Sequence, residues 1–383
     1  MKIANIVGAR PQFIKFFPIS EAIKKYAANS DNVVSEILIH TGQHYDYNMS
    51  KVFFDEFGIK TPDYHLGVGS GSHGEQTGQI IQKVEDVLMK VRPDVVMVYG
   101  DTNSTLGGAL ATAKIHIPVA HVESGLRSFN KKMPEEINRI LTDRVSTLLF
   151  CPSKTAIKNL RNESFNNVLN NGDFISRDYF FYNADSADAK IDNPLVINTG
   201  DVMYDAFLFS VNIANRRSSI IEQLQLEDKD YNLLTLHRAE NTDNLEKLNE
   251  IIDFINEISM DRNLIFPMHP RMKKVYGSSR TKFTDNIKII MPLGYFDNLM
   301  LLQKSALVMT DSGGIQKEAY WLKVPCITLR NETEWVETLQ SGWNVLYKNY
   351  SGSHKPLVND VSYYGDGEAA VRIVSALIKT IKQ

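Results

Sequence analysis

Three carboxylates in the first half of the chain are of the type that does general acid–base work. Asp101 follows Gly100 at the end of the apolar run 95–99, Glu123 ends the run 118–122, and Glu135 stands in the opening turn of the helix-like run 134–145. Carboxylates brought together raise one another's pKa, so a single residue type can supply both a general base and a general acid. Acids in a first helical turn also complement the helix dipole, which is the alternative reading of Glu135. In the second half, His237 with Arg238 after it ends the run 232–236, where it could protonate or hydrogen-bond a leaving phosphate. A structural strand-end histidine is the alternative there.

A second constellation points to a nucleotide. Thr310-Asp311-Ser312-Gly313-Gly314-Ile315 precedes a helix-like run, and glycines let a backbone approach a ligand whose phosphates suit the free N–H groups of a helix start. Glu318 follows about one and a half turns later, where a carboxylate can accept hydrogen bonds from a ribose diol. The competing account is an Asp/Ser N-cap followed by a surface glutamate. Gly69-Ser70-Gly71-Ser72-His73-Gly74 also satisfies GxGxxG. No buried strand precedes it and Asp94 opens a strand instead of closing one, so it reads as a Gly/Ser loop and not a dinucleotide fingerprint. No GxxxxGK[ST], HExxH or His/Cys cluster is present, so neither metal nor cofactor is expected.

Short apolar runs and helical segments must hold these groups in place. Runs at 3–7, 37–40, 95–99, 118–122 and 148–151 alternate with helix-like stretches at 13–26, 76–91 and 106–114, the rhythm of parallel strands with crossover helices. The rhythm weakens over 164–192 and resumes at 195–198, 232–236, 264–268, 287–291, 306–310 and 326–329. The expected division is a Rossmann-like domain of residues 1–170 plus 367–383, an irregular insertion or linker at 171–193, and a second Rossmann-like domain at 194–366. Ligands of open parallel sheets bind beyond the carboxyl ends of the strands, where the chemistry-bearing residues cluster in both halves.

Composition sets the outer bounds. The chain has 383 residues, and 42 Lys plus Arg against 45 Asp plus Glu leave a formal charge of −3. That balance argues against a nucleic-acid partner, and no apolar run approaches the roughly 18 residues of a membrane span. Cys151 and Cys326 stand alone in apolar runs and form no disulfide framework. The apolar stretch after Met1 is too short for a secretory signal, which predicts a soluble cytoplasmic protein.

In these motifs and their order the sequence resembles the non-hydrolysing UDP-N-acetylglucosamine 2-epimerases. The carriers are Gly8-Ala9-Arg10-Pro11 with Lys15, Gly42-Gln43-His44, Gly100-Asp101-Thr102, His121-Val122-Glu123-Ser124-Gly125-Leu126-Arg127 and Pro134-Glu135-Glu136-Ile137-Asn138-Arg139. The second half adds His237-Arg238-Ala239-Glu240-Asn241, His269-Pro270 and Asp311-Ser312-Gly313-Gly314-Ile315-Gln316 with Glu318. The resemblance implies an α/β chain of GT-B architecture, two Rossmann-like domains with a central cleft. It implies a homodimer without metal or redox cofactor, acting on a UDP-sugar for surface polysaccharide. It also implies the reaction, inversion at C2 of a UDP-linked 2-acetamido sugar through elimination and re-addition of UDP. Asp101, Glu123 and Glu135 match the family's catalytic carboxylates, and His237 the histidine that assists UDP departure. Arg10 and Lys15 match basic residues facing diphosphate and sugar. Arg238, His269, Ser312, Gly313 and Gly314 fall in the UDP-binding motifs, and Glu318 matches the ribose-binding glutamate.

Two segments depart from the commoner pattern. Thr333-Glu334-Trp335-Val336-Glu337 stands where many members have Thr-Glu-Arg-Pro-Glu, and Tyr45-Asp46-Tyr47-Asn48-Met49 follows the Gln43-His44 motif. Both resemble the branch acting on UDP-2,3-diacetamido-2,3-dideoxyglucuronate, so that sugar stands beside UDP-GlcNAc as a candidate substrate. Lys131 and Lys132 are then candidate partners for its carboxylate, or solvated surface charges. A GT-B glycosyltransferase or a non-catalytic nucleotide-sugar sensor would share the nucleotide pocket but would not need three acids.

Overall fold

The computed structural model describes residues 1–30, 33–42, 60–175, 189–352, 356 and 362–381, and of Arg10 only the backbone. Gln43, His44 and the segment 45–49 lie outside the described residues, as does 176–188 within the irregular stretch.

Strands pair into two all-parallel sheets. The first contains β1 (Lys2–Val7), β2 (Ser35–His40), β3 (Tyr64–His65), β4 (Val95–Tyr99), β5 (Val119–Val122), β6 (Leu148–Cys151) and β7 (Leu195–Asn198), in the order β3-β2-β1-β4-β5-β6-β7. The second contains β8 (Asn232–Thr235), β9 (Leu264–Pro267), β10 (Ile287–Ile290), β11 (Leu307–Thr310), β12 (Cys326–Thr328) and β13 (Asn344–Leu346), in the order β10-β9-β8-β11-β12-β13. Parallel sheets are covered on both faces, so their strands read as unbroken apolar runs, and β4 and β6 are buried at every position. In each sheet the strand order reverses beside the first strand, at β1/β4 and at β8/β11. Those are the switch points at which open parallel sheets generally bind their ligands.

Amphipathic helices seal the sheets. The helix His73–Val91 buries Ile80, Val84, Val87 and Leu88 against Ala4, Ile6, Val96 and Val98. It starts where the Gly/Ser loop ends, because the Ser72 hydroxyl accepts the Glu75 N–H at 3.3 Å. The helix Leu245–Ile258 likewise sets Leu248, Ile251, Ile252 and Ile255 into a core with Leu234, Phe266 and Met309. Among the described residues no helix is long and apolar enough to cross a membrane.

The chain divides into two compact units, one of Met1–Ala206 with Tyr364–Gln383 and one of Phe207–Tyr363. This moves a boundary expected at residue 194. Leu195–Asn198 was expected to open the second half, yet as β7 it pairs with β6 and completes the first sheet. Its alternation with helices looks the same in either sheet, and only the pairing partner distinguishes them. The described start of the irregular stretch 164–192 packs into the first unit: Phe165, Leu169 and Ile175 are buried, and Val168 bridges Val196 of β7. The C-terminal helix Ala369–Ile381 joins the first unit too, with Ala369 and Ala370 N–H groups donating to Asp205 at 3.2 and 2.7 Å.

Candidate functional site

In the first unit the polar residues gather at the carboxyl ends of β1, β4 and β5. Tyr99 stands opposite Val122 in the parallel register, so Gly100-Asp101 and Glu123 leave the sheet side by side. Gln12, a buried residue in the first turn of the helix Arg10–Ala28, locks this edge. Its Oε1 accepts the N–H groups of Gly8 and Ala9 at 2.7 and 3.0 Å, and its Nε2 donates to the Tyr99 carbonyl at 2.8 Å. One turn on, the Lys15 ammonium donates to Glu123 Oε2, and both side chains are more than nine-tenths buried. Such a charge-assisted pair needs close approach on every side. Gly100 provides it, because a Cβ there would lie 3.2 Å from Lys15 Nζ and 3.3 Å from Glu123 Oε2, and its φ of +64° suits glycine.

Glu123 itself has φ +72°, which for a residue with a side chain costs about 1–2 kcal/mol. The surrounding bonds impose it: the Glu123 and Ser124 N–H groups both donate to the Phe150 carbonyl, at 3.1 and 3.0 Å. Backbone held in this way concentrates at functional sites. Asp101 is partly exposed and accepts from Arg139, with Nε at 2.9 Å and Nη2 at 2.8 Å from Oδ2. Asn138 steadies the same residue by donating to its carbonyl at 2.9 Å.

The two glutamates that open the helix Pro134–Val145 separate sharply. Glu136 is buried, accepting from Ser128 N–H and hydroxyl at 2.8 and 3.0 Å, from Phe129 N–H at 2.9 Å and from Arg139 at 2.8 Å. It therefore braces the loop before the helix. Glu135 is exposed one turn from Arg139, and Lys131 and Lys132 are exposed as well. The structure thus brings Lys15, Glu123 and the Gly100-Asp101 turn together and leaves Glu135 at the rim. Arg10 opens its helix directly after this edge.

The second unit gathers its polar groups at the ends of β8 and β11. Thr235 lies opposite Thr310, so His237 and Ser312 leave the sheet together. Asp311 organises the group: its Oδ2 accepts from the N–H groups of His237 and Arg238 at 2.9 and 2.8 Å, and Oδ1 lies 3.2 Å from His237 Nδ1. Burial alone would raise the Asp311 pKa, but the His237 hydrogen bond and charge and the two backbone donors outweigh it and hold it below the usual carboxylate range. The His269 ring lies 5.4 Å from that of His237, with its Nδ1 accepting the Arg271 N–H at 3.1 Å.

Ser312 is the N-cap of the helix Gly313–Trp321, yet its side chain makes no capping bond to that helix. The capping account of this loop therefore fails for the Ser312 side chain. Gly313 is closely surrounded: a Cβ there would meet Glu334 Oε1 at 2.9 Å, Trp335 Nε1 at 3.1 Å and Arg238 Nη2 at 3.7 Å. Gly314 has more room, with Ser312 Oγ at 3.9 Å. Lys317 sets its ammonium 3.7 Å over the Trp335 ring. Glu318 is buried and not a surface residue, and Tyr295 donates its hydroxyl to Glu318 Oε1 at 2.9 Å.

Sequence reasoning assigned no role to Arg139, Asp311, Gln12 or Tyr295. Arg139 lies three and four residues after the glutamate pair on one helix, a spacing that signals contact. Asp311 was visible as a strand-end acid, but only the β8/β11 pairing puts it under His237. Tyr295 comes from a separate helix, Tyr295–Lys304, and carries no local signal.

The profile of the UDP-N-acetylglucosamine 2-epimerase family matches residues 26–378. The chain is 46% identical to a UDP-N-acetylglucosamine 2-epimerase homolog of Methanococcus maripaludis, over 98% of this chain and 99% of the relative. It is 45% identical to the UDP-2,3-diacetamido-2,3-dideoxy-D-glucuronate 2-epimerase of Pseudomonas aeruginosa, over 99% of this chain and 100% of that one. Its structure matches that of Methanocaldococcus jannaschii UDP-GlcNAc 2-epimerase in complex with UDP-GlcNAc and UDP, with a TM-score of 0.80, 40% identity and 99% of both chains covered. Its two parallel Rossmann-like sheets are of the GT-B-like type seen there. The chain belongs to the UDP-N-acetylglucosamine 2-epimerase family, as an isomerase acting at C2 of a UDP-linked acetamido sugar.

Proposed function

We propose that this protein interconverts UDP-GlcNAc and UDP-ManNAc without hydrolysis, by eliminating UDP and adding it back. The C2–H of the sugar is not acidic, so its removal has to accompany departure of UDP from C1. A base takes the C2 proton, the C–H electron pair becomes the C1=C2 double bond of 2-acetamidoglucal, and the C1–O bond breaks toward the diphosphate. UDP then returns to C1 while C2 takes a proton on its other face. The observation that carries this reading is the Gly100-Asp101 turn beside Glu123, with Lys15 against Glu123 and Arg139 against Asp101. It sets two carboxylates at adjoining strand ends, as proton removal from one face and delivery to the other require.

In this account Asp101 and Glu123 exchange the C2 proton with Glu135 assisting, and Lys15 and Arg10 meet sugar and diphosphate. His237, oriented by Asp311, stabilises the departing UDP together with Arg238 and His269. The N–H groups at Ser312, Gly313 and Gly314 receive phosphate, and Glu318 accepts from the ribose diol. Asp101→Asn, Glu123→Gln and Glu135→Gln are each expected to reduce epimerisation by about 100-fold or more while UDP affinity stays nearly unchanged, a range typical of acid–base groups. Full activity in all three would refute the assignment.

A second substrate is favoured by one comparison. The Pseudomonas aeruginosa relative that acts on UDP-2,3-diacetamido-2,3-dideoxy-D-glucuronate is as similar to this chain as the UDP-GlcNAc enzymes are. The C2 chemistry is the same for that sugar, and parallel turnover assays with both substrates decide between them.

A further inference from the structure

His121 lies within β5, fully buried, and both of its ring nitrogens face acceptors. Nε2 is 2.8 Å from the Gly100 carbonyl oxygen and Nδ1 is 2.7 Å from Asp143 Oδ1. A peptide carbonyl can only accept, so Nε2 must carry a proton. Asp143 is an acceptor on its other side as well. Its Oδ2 lies 2.8 Å from Arg127 Nη2 and accepts the Gly125 N–H at 3.2 Å, so the carboxylate is ionised and Nδ1 must carry a proton too. Arg127 is held in turn by Glu163, with bonds of 2.7 and 2.9 Å. The charges therefore alternate from imidazolium to carboxylate to guanidinium to carboxylate. These four sum to zero, and at the open end of the chain the half-exposed Arg144 lies 3.9 Å from the partly exposed Glu163.

We infer that His121 is a buried imidazolium that positions the reacting carboxylates by clamping the Gly100 carbonyl. The clamp acts at the junction between β4 and β5. Gly100 precedes Asp101, its Cα faces the Lys15–Glu123 pair, and His121 is two residues before Glu123 on the neighbouring strand. A neutral ring could donate to only one of its two acceptors. Its other nitrogen would turn a lone pair either toward the carbonyl, leaving the left-handed peptide at Gly100 held only by its N–H bond to the Val122 carbonyl, or toward the carboxylate, leaving Asp143 Oδ1 without its donor. His121 touches neither carboxylate, so its role is to position and not to react. The protonation state stands without any assumption about substrate, whereas the effect on turnover rests on the proposed function.

Nitrogen-15 NMR of the histidine-labelled, unaltered protein tests the first part. One histidine, assigned through the backbone resonances of position 121, is expected to show two protonated ring nitrogens and slow exchange with solvent at neutral pH. His40, which is also buried, accepts the Gly42 N–H at its Nδ1 at 2.8 Å and so should show one bare nitrogen, an internal reference. An unprotonated nitrogen at His121 would overturn the proposal. For the second part, folded His121→Asn should lose about 10- to 100-fold in kcat, with KM and UDP affinity within about threefold of the unaltered protein. Unchanged kcat in a folded variant would overturn the positioning role. The NMR experiment needs no substrate, so failure of the epimerase reading leaves it standing and the two failures are distinguishable.

Discussion

Gly100→Ala puts a methyl group where the account needs empty space. The position has φ +64°, and a side chain held there costs about 1–2 kcal/mol. For a unit of this size each kcal/mol lowers Tm by about 2–4 °C, so the variant should melt about 2–8 °C lower. The new Cβ would also stand 3.2 Å from Lys15 Nζ and 3.3 Å from Glu123 Oε2, tighter than most contacts a Cβ makes. The ion pair must then spread by a few tenths of an ångström. A misplacement of about 1 Å costs about 100-fold in rate, so a shift of this size should cost about 3- to 10-fold in kcat, with UDP binding unaffected. Calorimetry and the rate of C2–H exchange in deuterium oxide measure the two effects separately. Gly78→Ala is the control of opposite sign: it lies inside the helix His73–Val91 with nothing near its Cβ position, and should gain about 0.5–1 kcal/mol. If Gly100→Ala kept both the Tm and kcat of the unaltered protein, the packing argument for the Lys15–Glu123 pair would fall.

Two other predictions use different parts of the chain. Burial first of all, with Asp201 nearby, pushes the Asp205 carboxyl up to about 7 against the N–H bonds from Ala370 and Ala369. A folded pKa above the unfolded one means stability present at low pH and lost as pH rises from the ordinary carboxylate range through about 7, so Asp205→Asn should flatten that decline in urea titrations; an unchanged slope would refute it. Tyr295→Phe removes the hydroxyl that fixes Glu318, at about 1 kcal/mol for the lost bond. Calorimetric titration should show UDP bound about fivefold more weakly, and equal affinity would detach Glu318 from the nucleotide.

The order of strands and helices was legible in the sequence because parallel strands, covered on both faces, leave unbroken apolar runs. From that order alone Asp101 and Glu123 fall at strand ends, as do His237 and Ser312. Partners were not legible. Lys15 meets Glu123 across 108 positions and Asp311 meets His237 across 74, separations at which no local pattern operates. The unit boundary was misread for the same reason, since β7 joins the first sheet through pairing and not through composition. The acid pair Glu135 and Glu136 shows a finer limit. Helical spacing puts both in the first turn, but only the fold of residues 128–129 determines that Glu136 turns inward and Glu135 outward.

Proton NMR of UDP-GlcNAc incubated with the protein in deuterium oxide tests the central claim most directly. Elimination and re-addition predicts UDP-ManNAc, with deuterium entering C2 of both sugars as equilibrium is approached. Deuterium-labelled UDP-2,3-diacetamido-2,3-dideoxyglucuronate epimers with no change in UDP-GlcNAc would keep the mechanism and move the substrate. Free ManNAc with UDP, or no exchange at C2 in either sugar while UDP still binds, would contradict the account.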